Sequence, residues 1–539
     1  MLGRNIHHTE PILLLLLVCV VILAAFAKKY KTPYPIVLVV AGTCLGFLPH
    51  MPRVQLSPNL VFLLFLPPLL FAAAFQTSWR DFRFNLVSIS MLAFGLVGFT
   101  VFGVALATHW LIPSFDWRTG LVLGAVVCTT DAIAATSIAD RVGLPRRIRD
   151  VIEGESLVND ASGLLALQVA ISILVTGQVT PFVTSMGLLL YLIASSVVIG
   201  LVLGKLVRWV ETKIDDAPIE ITISLMTPYF AYLAGESLRS SGVLATVVCG
   251  LYLGHQSSLY FSTRARLQSG AVWETLSFVF NGIVFILIGL QLPNIMVDVR
   301  LLGPHRWLRT GIIFSALIIL LRLIWVYPGG WASNWIRRRI LRQPIPFPDP
   351  RQLFVIGWAG MRGVVALAAA VSLPTVLRDG SPFPERNVII FLTFCVIFAT
   401  LVGQGLSLPF VIRRLGLAST AKVDPEEQRA RYEIIEAALA YLEHARDSDK
   451  PEFASVYDEM IRTQNHRINL LPGKKSADVG FTPEHYKRFI EASRNVGALQ
   501  RAALLNLRNQ NEINDDVLRR LEQEIDLSEI RYSSVTVSG

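Results

Sequence analysis

Long apolar runs, separated by short polar segments, occupy most of the chain up to Arg414. A helix that spans a bilayer needs about 20 mainly apolar residues, and the runs predict about 13 such helices. They cover residues 11–27, 34–49, 57–76, 84–112, 119–139, 150–176, 182–209, 219–238, 242–256, 271–296, 307–327, 352–376 and 387–412. This pattern is typical of an all-α polytopic membrane protein, with a transmembrane domain over residues 1–415.

A different pattern follows Arg414. Asp424-Pro425-Glu426-Glu427 favours a helix start, with an N-cap aspartate, a proline in the first turn and acids at the positive end of the helix dipole. Thr482-Pro483-Glu484 predicts another start, and apolar residues recur at helical spacing after the first one, at Ile434, Ile435, Ala438, Leu439 and Leu442. We expect a helical cytoplasmic domain over residues 424–530 and a disordered tail over 531–539.

One polar run enters an apolar segment. Residues 153–163 read Glu-Gly-Glu-Ser-Leu-Val-Asn-Asp-Ala-Ser-Gly, at the start of the apolar stretch 164–175. A charge at bilayer depth costs at least a few kcal/mol, so it is rarely there without a partner or a function. Asp160, Asn159 and Ser156 offer hard oxygen atoms, which a small alkali cation needs in place of its water shell. The run therefore predicts ion or proton movement; the alternative is that these groups, Ser156 above all, only hydrogen-bond to neighbouring helices.

Two other predicted helices carry polar interruptions. Cys128-Thr129-Thr130-Asp131 breaks the segment 119–139, where threonine hydroxyls bond to backbone carbonyls and an aspartate meets freed N–H groups. In the segment 352–376, three glycines surround Arg362, which we expect to face the carbonyls of an opposing half-helix. Interrupted helices in corresponding halves of a chain are typical of a transporter's binding region. The alternative is ordinary glycine kinks with one snorkelling arginine.

Arg322 is a third intramembrane charge, in the segment 307–327. Near a helix end, a long arginine side chain either snorkels to the interface or forms an ion pair with a buried carboxylate. We expect the ion pair.

Basic and acidic residues are unevenly distributed between the membrane part and the C-terminal part of the chain. The chain has 539 residues, of which only 17% are charged, a mean hydropathy of +0.52 and a formal net charge of +9. The part from Asp424 onward carries −5 and the membrane part +14. With the N-terminus outside, 20 basic residues fall in inward segments and 9 in outward ones, which favours a cytoplasmic C-terminus. The basic residues thus indicate multi-pass topology in the plasma (inner) membrane and not a nucleic-acid partner.

The cysteine and histidine residues do not form a pattern that is typical of an enzyme. Five cysteines lie in apolar segments and form neither a disulfide framework nor a zinc pattern. Nine histidines are scattered, without the His/Glu helix motif of metalloproteases. We expect a transport protein that needs no cofactor and is not an enzyme. A cation channel would use similar acids without coupling cation flux to protons, and a sensor function of the acidic tail would be an additional role.

A faint internal similarity links the two halves of the membrane part. Residues 39–46 and 247–254 share glycines, so that Gly42 aligns with Gly250 and Gly46 with Gly254. Secondary transporters are often built from inverted repeats. Two shared glycines in apolar segments also arise by chance, so both explanations stay open.

Several of these motifs together resemble the sodium/proton exchangers of the cation:proton antiporter superfamily. They are most similar to the bacterial branch that shares an Asn-Asp motif with animal exchangers, and the resemblance extends over residues 11–415. The motifs are Gly154-Glu155-Ser156-Leu-Val-Asn159-Asp160, Thr130-Asp131, Leu66-Pro67-Pro68, Ser241-Gly242-Val243-Leu244-Ala245 and Gly360-Met-Arg362-Gly363. Many prokaryotic relatives also carry an acid shortly after the proline pair, whereas residues 69–75 hold none here.

The resemblance implies two inverted six-helix repeats with crossed discontinuous helices, and a homodimer. It implies that Asp160 binds both ion and proton, with Asn159 orienting it. Ser156 and an oxygen of Thr130 would complete the coordination of a monovalent cation. Glu155 would pair with Arg322, while Asp131 and Arg362 would neutralise the ends of the crossed half-helices.

These roles predict secondary active antiport that serves pH homeostasis. A buried Asp160 is neutralised by a proton or by a cation but not by both, and only the neutralised forms cross the low-dielectric barrier at tolerable cost. With Asn159 where a second acid would add charge, we expect electroneutral exchange by alternating access. Na⁺ is the expected cation, and K⁺/H⁺ antiport is the alternative.

Overall fold

The computed structural model describes residues 6–48, 58, 61–177, 182–293, 295–296, 304–343, 347–376, 383, 385–418, 425–469, 483–510, 521, 524–525 and 527, and over these the chain is all-helical. It divides into two compact units, Met1–Ser419 and Thr420–Gly539. The predicted domain ranges 1–415 and 424–530 stay predictions. The segment 531–539, predicted to be disordered, lies outside the described residues.

The helices of the first unit follow the predicted apolar runs. They are α1 (Ile6–Lys29), α2 (Tyr34–Gly46), α3 (Leu66–Gln76), α4 (Trp79–Ser90), α5 (Val97–Leu111), α6 (Trp117–Val127), α7 (Ala132–Val142), α8 (Arg146–Thr176), α9 (Phe182–Glu211), α10 (Ala217–Ser237), α11 (Gly242–Tyr260), α12 (Thr263–Leu290), α13 (Pro304–Arg339), α14 (Pro350–Trp358), α15 (Val364–Val371), α16 (Arg386–Phe398) and α17 (Gly405–Arg414). Every predicted span contains helix. Seven stretches among the described residues are long and apolar enough to cross a membrane by length and composition, which confirms a polytopic helical protein. The count of about 13 spans stays a prediction.

Polar side chains determine where several helices begin. Asp116, Ser241 and Ser262 each accept a hydrogen bond from the backbone N–H three residues further on, at 2.8, 3.2 and 3.2 Å. Such caps satisfy N–H groups that have no partner within the first turn of a helix. The short polar segments between apolar runs therefore set the helix boundaries.

The two interrupted helices meet at their breaks. Residues 128–131 separate α6 from α7, and residues 359–363 separate α14 from α15. The backbone N–H of Asp131 donates to the carbonyl of Met361 at 2.8 Å, so one unwound segment bonds directly to the other. This contact agrees with the predicted pair of crossed discontinuous helices.

Three π-helical segments of the described chain, which the sequence did not predict, widen other helices. They are Val61–Phe65 before α3, Met91–Leu96 between α4 and α5, and Ala399–Gln404 between α16 and α17. In the second segment, the indole N–H of Trp325 donates to the carbonyl of Met91 at 3.1 Å, and the hydroxyl of Ser162 donates to that of Ala93 at 2.5 Å. Because a π-turn disturbs the regular ladder, its carbonyls accept such side-chain donors. Helices α13 and α8 are thereby attached to the α4–α5 bend.

Gly42 and Gly250, which align between residues 39–46 and 247–254, each lie where two helices pack closely against each other. A Cβ atom at Gly42 of α2 would lie 2.5 Å from the carbonyl oxygen of Ile286 in α12, and one at Gly250 of α11 would lie 3.0 Å from that of Phe71 in α3. Both glycines therefore permit a backbone approach that any side chain would block. A pairing of α2 with α12 and of α11 with α3 is what an inverted repeat would produce; the repeat itself stays a prediction.

The first described helix of the second unit begins at Pro425, where the sequence predicted a helix start. Its described helices are α18 (Pro425–Ser448), α19 (Ala454–Asn469) and α20 (Pro483–Asn509), while Asp424 lies outside the described residues. Helices α18 and α19 pack together across a short connection, where Asp449 accepts hydrogen bonds from the backbone N–H of Lys450 and the hydroxyl of Tyr457, both at 2.8 Å. These two donors lower the pKa of Asp449 below its usual value.

Candidate ion-binding site

A cavity of about 300 Å³ lies beside the crossed breaks. Its walls come from α3, α8, α12, α15 and the unwound residues after α6, and its lining includes Thr129, Thr130, Asp131, Ser156, Asp160 and Asn281. Arg149 and Glu153 also line it; they form an ion pair at 2.7 Å whose side chains are 42% and 26% exposed. The cavity therefore leads from a solvated ion pair to a buried carboxylate.

Asp160 is the buried carboxylate of this cavity. It is 6% exposed, and its carboxylate forms no hydrogen bond or ion pair with the part of the chain that the structure describes. Asp131 is the charged group that faces it, and the two carboxylates repel each other. A buried carboxylate without a donor or a cation is costly, so this group needs a proton or a positive ion.

The neighbours of Asp160 on α8 bond to the unwound segment of α6 and not to Asp160. The amide nitrogen of Asn159 donates to Thr130 Oγ1 at 3.1 Å and to the carbonyl of Cys128 at 3.4 Å. The hydroxyl of Ser156 donates to the carbonyl of Thr130 at 2.7 Å and accepts from the N–H of Ala132 at 3.1 Å. These bonds hold the break open, because they satisfy backbone groups that lack a helical partner.

Glu155 and Arg322, which the family resemblance implied as partners, form a buried ion pair. Arg322 Nη1 and Nη2 lie 2.5 and 2.7 Å from the two carboxylate oxygens of Glu155. The guanidinium also donates to the carbonyls of Gly357 at 3.0 Å and Ile356 at 3.1 Å, which end α14. Thr130 Oγ1 donates to Glu155 Oε1 at 3.3 Å. Both charges are thus bonded to each other and to both interrupted helices.

Asp131 takes the predicted position at a half-helix end. Its Oδ1 accepts from the N–H of Ile133 at 2.8 Å and caps the N-terminus of α7. The carboxylate also lies against Gly363, so closely that a Cβ atom there would overlap with it.

Arg362 differs from the expectation. Its backbone N–H donates to Thr400 Oγ1 at 3.1 Å, but its guanidinium nitrogens have no hydrogen-bond partner among the described residues, although the residue is 1% exposed. The charged groups that act on it are Arg322 and Glu155. Asp131 does not pair with it, because the Asp131 carboxylate is directed to the α7 N-terminus. Neutralisation of a half-helix end by Arg362 therefore stays a prediction.

Sequence reasoning gave no role in the site to several polar residues that line the cavity, Thr129 and Asn281 among them. Thr129 Oγ1 is buried and forms no hydrogen bond within the described chain. Asn281, on α12, is 6% exposed and lines the same cavity. Asn281 was visible as a polar residue between Phe280 and the apolar run 283–288. Which of two adjacent threonines keeps a free hydroxyl depends on the path of the unwound backbone, so no sequence signal identified Thr129.

The arrangement offers a limited set of oxygen atoms to a cation. The oxygens of Ser156 and Thr130, predicted as ligands, already take part in hydrogen bonds. The carboxylate of Asp160, the hydroxyl of Thr129 and the side-chain oxygen of Asn159 have no such partner among the described residues. A hard cation with a partial water shell fits such a site better than a fully dehydrated one.

Comparison with known proteins places these features in one family. The family model described as "Sodium/hydrogen exchanger, transmembrane" matches residues 13–414. An uncharacterized Na⁺/H⁺ exchanger of Mycobacterium tuberculosis is 32% identical over 526 residues, which cover 96% of this chain and 95% of that protein. A sodium, potassium, lithium and rubidium/H⁺ antiporter of Bacillus pumilus is 32% identical over 446 residues, or 80% of this chain and 66% of that protein.

A solved structure supports the same fold. The sodium proton antiporter MjNhaP1 of Methanocaldococcus jannaschii matches with a TM-score of 0.61 at 19% identity. The match covers 76% of this chain and 98% of that chain. At this identity, the likeness concerns the arrangement of the helices alone.

Proposed function

The chain belongs to the sodium/hydrogen exchanger family, and on that premise we propose that it exchanges one monovalent cation, Na⁺ in the first place, for one proton at Asp160. The observation that carries the proposal is the contrast between two buried acids on α8. Glu155 is neutralised by Arg322, whereas Asp160 has no partner among the described residues. A carboxylate in that position binds whichever positive ion is available.

Competition at Asp160 is sufficient for coupling. The ionised carboxylate is unfavourable in a low-dielectric environment, so the states that cross between the two sides are the protonated and the cation-bound ones. Each crossing in one direction then carries a proton and the return carries a cation. Because both states are neutral at this site and Asn159 adds no charge, the exchange is electroneutral.

The position of the cavity supports a mechanism of alternating access. Its Arg149–Glu153 ion pair belongs to a segment that the positive-inside rule assigns to the cytoplasm, so the cavity opens inward. Movement of the helices on one side of the breaks against those on the other would close it and open the opposite side. In this scheme the protein is a homodimer of the plasma membrane, with its C-terminal unit in the cytoplasm.

The coordination shell that we propose differs from the shell of Asp160, Ser156 and Thr130 that the family resemblance implies. Asp160 and the hydroxyl of Thr129 supply direct ligands, Asn281 lies within the same cavity, and water completes the shell. Ser156, Thr130 and Asn159 position this shell through their bonds to the α6 break. The hydroxyls of Ser156 and Thr130 enter it directly only where the cation displaces one of those bonds, whereas Asn159 Oδ1 has no hydrogen-bond partner among the described residues.

K⁺ is the second candidate cation. The relative from Bacillus pumilus is named for sodium, potassium, lithium and rubidium. The absence of an acid in residues 69–75 leaves a weaker, more hydrated shell, which discriminates less between alkali cations. Competition at Asp160 works in the same way for either ion.

The test is proton flux in everted membrane vesicles that contain the full chain. Addition of Na⁺ or K⁺ to respiring vesicles is expected to restore the fluorescence of a pH-sensitive dye, and Asp160→Asn is expected to abolish this response. Asp215→Asn removes an exposed acid and serves as the matched control. Exchange that persists in Asp160→Asn would refute the assignment, and cation flux without a pH change would indicate a channel. An exchange rate that depends on membrane potential would refute electroneutrality.

A further inference from the structure

A second pair of buried acids lies away from the Asp160 cavity. Glu211 is the last residue of α9, and Glu220 lies in the first turn of α10. They are 1% and 0% exposed. Neither residue lines the cavity around Asp160.

The surroundings of this pair are mainly apolar. A cluster of buried apolar side chains that includes Phe71, Leu253 and Trp273 encloses the junction of α10, α11 and α12. Glu220 Oε2 accepts a hydrogen bond from the N–H of Ser262 at 2.9 Å. Glu220 Oε1 and Glu211 Oε2 are buried without a hydrogen-bond partner in the described chain.

The two carboxylates repel each other, and no cation of the described chain compensates them. The nearest basic residues along the chain are directed elsewhere. Arg208 Nη1 donates to the hydroxyl of Tyr252 at 3.4 Å, and Lys213 Nζ lies 3.6 Å from the centroid of the Trp209 ring.

The other titratable groups that face the pair are Cys249 and Tyr260 of α11. Both are neutral in their ordinary state, and the hydroxyl of Tyr260 donates to the carbonyl of Leu253 at 3.3 Å. They supply no positive charge. A water molecule between the carboxylates would supply hydrogen bonds but no charge either.

We propose that Glu211 and Glu220 share one proton and form a proton-binding site separate from Asp160. Two carboxylates that are buried close together cannot both be ionised without a large loss of free energy. One proton between them removes one charge and gives the free oxygens a donor and an acceptor. The proposal rests on these contacts and does not depend on the role of Asp160.

The site also has a structural consequence for the transporter. Glu220 accepts a hydrogen bond from the N–H of Ser262, the residue directly before α12. This helix carries Asn281, which lines the Asp160 cavity. Loss of the shared proton leaves two anions at this junction, so it destabilises the start of α12. We therefore expect the stability of the membrane unit to fall as this proton is removed at rising pH.

The first test is infrared spectroscopy of the purified full chain in lipid nanodiscs near neutral pH. A protonated carboxyl group has a C=O stretching band that is distinct from the bands of a carboxylate. The difference between the wild type and the double variant Glu211→Gln/Glu220→Gln is expected to contain one such band. Asp215→Asn, which removes an exposed acid from the same connection, is expected to leave it unchanged. A difference spectrum without this band would overturn the proposal.

A single variant covers the case in which the double variant does not fold. In Glu211→Gln, the amide N–H replaces the shared proton as donor, so Glu220 is expected to ionise and the band to disappear. The thermal midpoint of the wild type should fall with rising pH, whereas that of Glu211→Gln should not show this fall. Equal pH dependence in both proteins would contradict the shared proton. Stabilisation by added Na⁺ or K⁺ in place of the band would identify a cation between the acids and would also overturn it.

Discussion

Glu155 and Arg322 are joined by two hydrogen bonds of 2.5 and 2.7 Å, while Asp160, on the same helix, has no equivalent partner among the residues that the structure describes. This asymmetry separates two functions within five residues. One acid joins α8 to α13 and to the end of α14, and the other is the acid to which we assign ion binding. The two acidic side chains differ in this way because, among the described residues, only Glu155 of the two is paired with an arginine.

Breaking the Glu155–Arg322 pair should destabilise the protein strongly. Arg322→Met leaves the Glu155 carboxylate charged and buried, and Glu155→Gln leaves Arg322 uncompensated. Removal of one partner from a buried pair costs about 3–5 kcal/mol. We expect both single variants to lower the thermal midpoint of the full chain in detergent.

The double variant Glu155→Gln/Arg322→Met provides the control, because it leaves no unpaired charge. Its midpoint should lie above the midpoints of both single variants, since replacement of a whole buried pair by neutral groups is often tolerated. Additive losses in the double variant would show that the two side chains act independently.

Thr129 should contribute to cation affinity. Thr129→Val keeps the shape of the side chain but removes the one free hydroxyl that we assign to the cation among the described residues of the cavity. Loss of such a ligand is expected to raise the KM for the cation by about 5- to 150-fold with a smaller effect on the maximal rate. Cation titrations of vesicle proton flux measure both values.

Thr129→Ser is the matched control, because it keeps the hydroxyl and removes only a methyl group. Its KM should remain close to that of the wild type. If Thr129→Ser weakens binding as much as Thr129→Val, packing of the methyl group against Gly163 explains the effect.

Gly363 should be required for the position of Asp131. An alanine Cβ at this site would overlap with the Asp131 carboxylate, which caps α7. Overpacking typically costs about 1–3 kcal/mol, and a lost N-cap about 1 kcal/mol. Gly363→Ala is therefore expected to lower both the thermal midpoint and the exchange rate.

Gly98→Ala is the corresponding control within α5. No atom lies within 4 Å of its added Cβ, and alanine in a helix is about 0.5–1 kcal/mol more favourable than glycine. This variant should be as stable as the wild type or slightly more stable. Loss of activity in both variants would indicate that general flexibility is needed, not the space beside Asp131.

The sequence predicted those parts of the structure that depend on strong local signals. Apolar runs indicated the helices, and the polar break at residues 128–131 indicated an interrupted helix. That Arg322 would pair with a buried carboxylate was predictable because a buried charge needs an opposite charge, whereas Glu155 as its partner was implied by the family resemblance. Helix ends were less certain: α13 extends to Arg339, beyond the predicted end at residue 327, and runs through Pro328, Gly329 and Gly330, residues that ordinarily weaken a helix.

The free oxygens of the site and the second acid pair were not predictable. Thr130 and Ser156 were expected to bind the cation, but their oxygens bond to the α6 break and to α8. Glu211 and Glu220 lie on different helices, next to a polar connection, where acids ordinarily face solvent. Their burial depends on how α9 and α10 pack against α11, and this is tertiary information that no local pattern contains.

The apparent KM for the cation should depend on pH in a characteristic way. If proton and cation compete for Asp160, only the ionised fraction of the carboxylate binds the cation, and the apparent affinity scales with that fraction. In the acidic range, where most of the carboxyl groups are protonated, KM should therefore fall about tenfold for each unit of rising pH. It should become constant once Asp160 is ionised. Because competition acts on binding alone, saturating cation should restore the maximal rate at every pH in this range. The measurement is initial proton flux in proteoliposomes at several cation concentrations and pH values, and Glu211→Gln serves as a variant with an intact Asp160 site. A KM independent of pH, with a maximal rate that falls in acid, would mean that proton and cation occupy different groups.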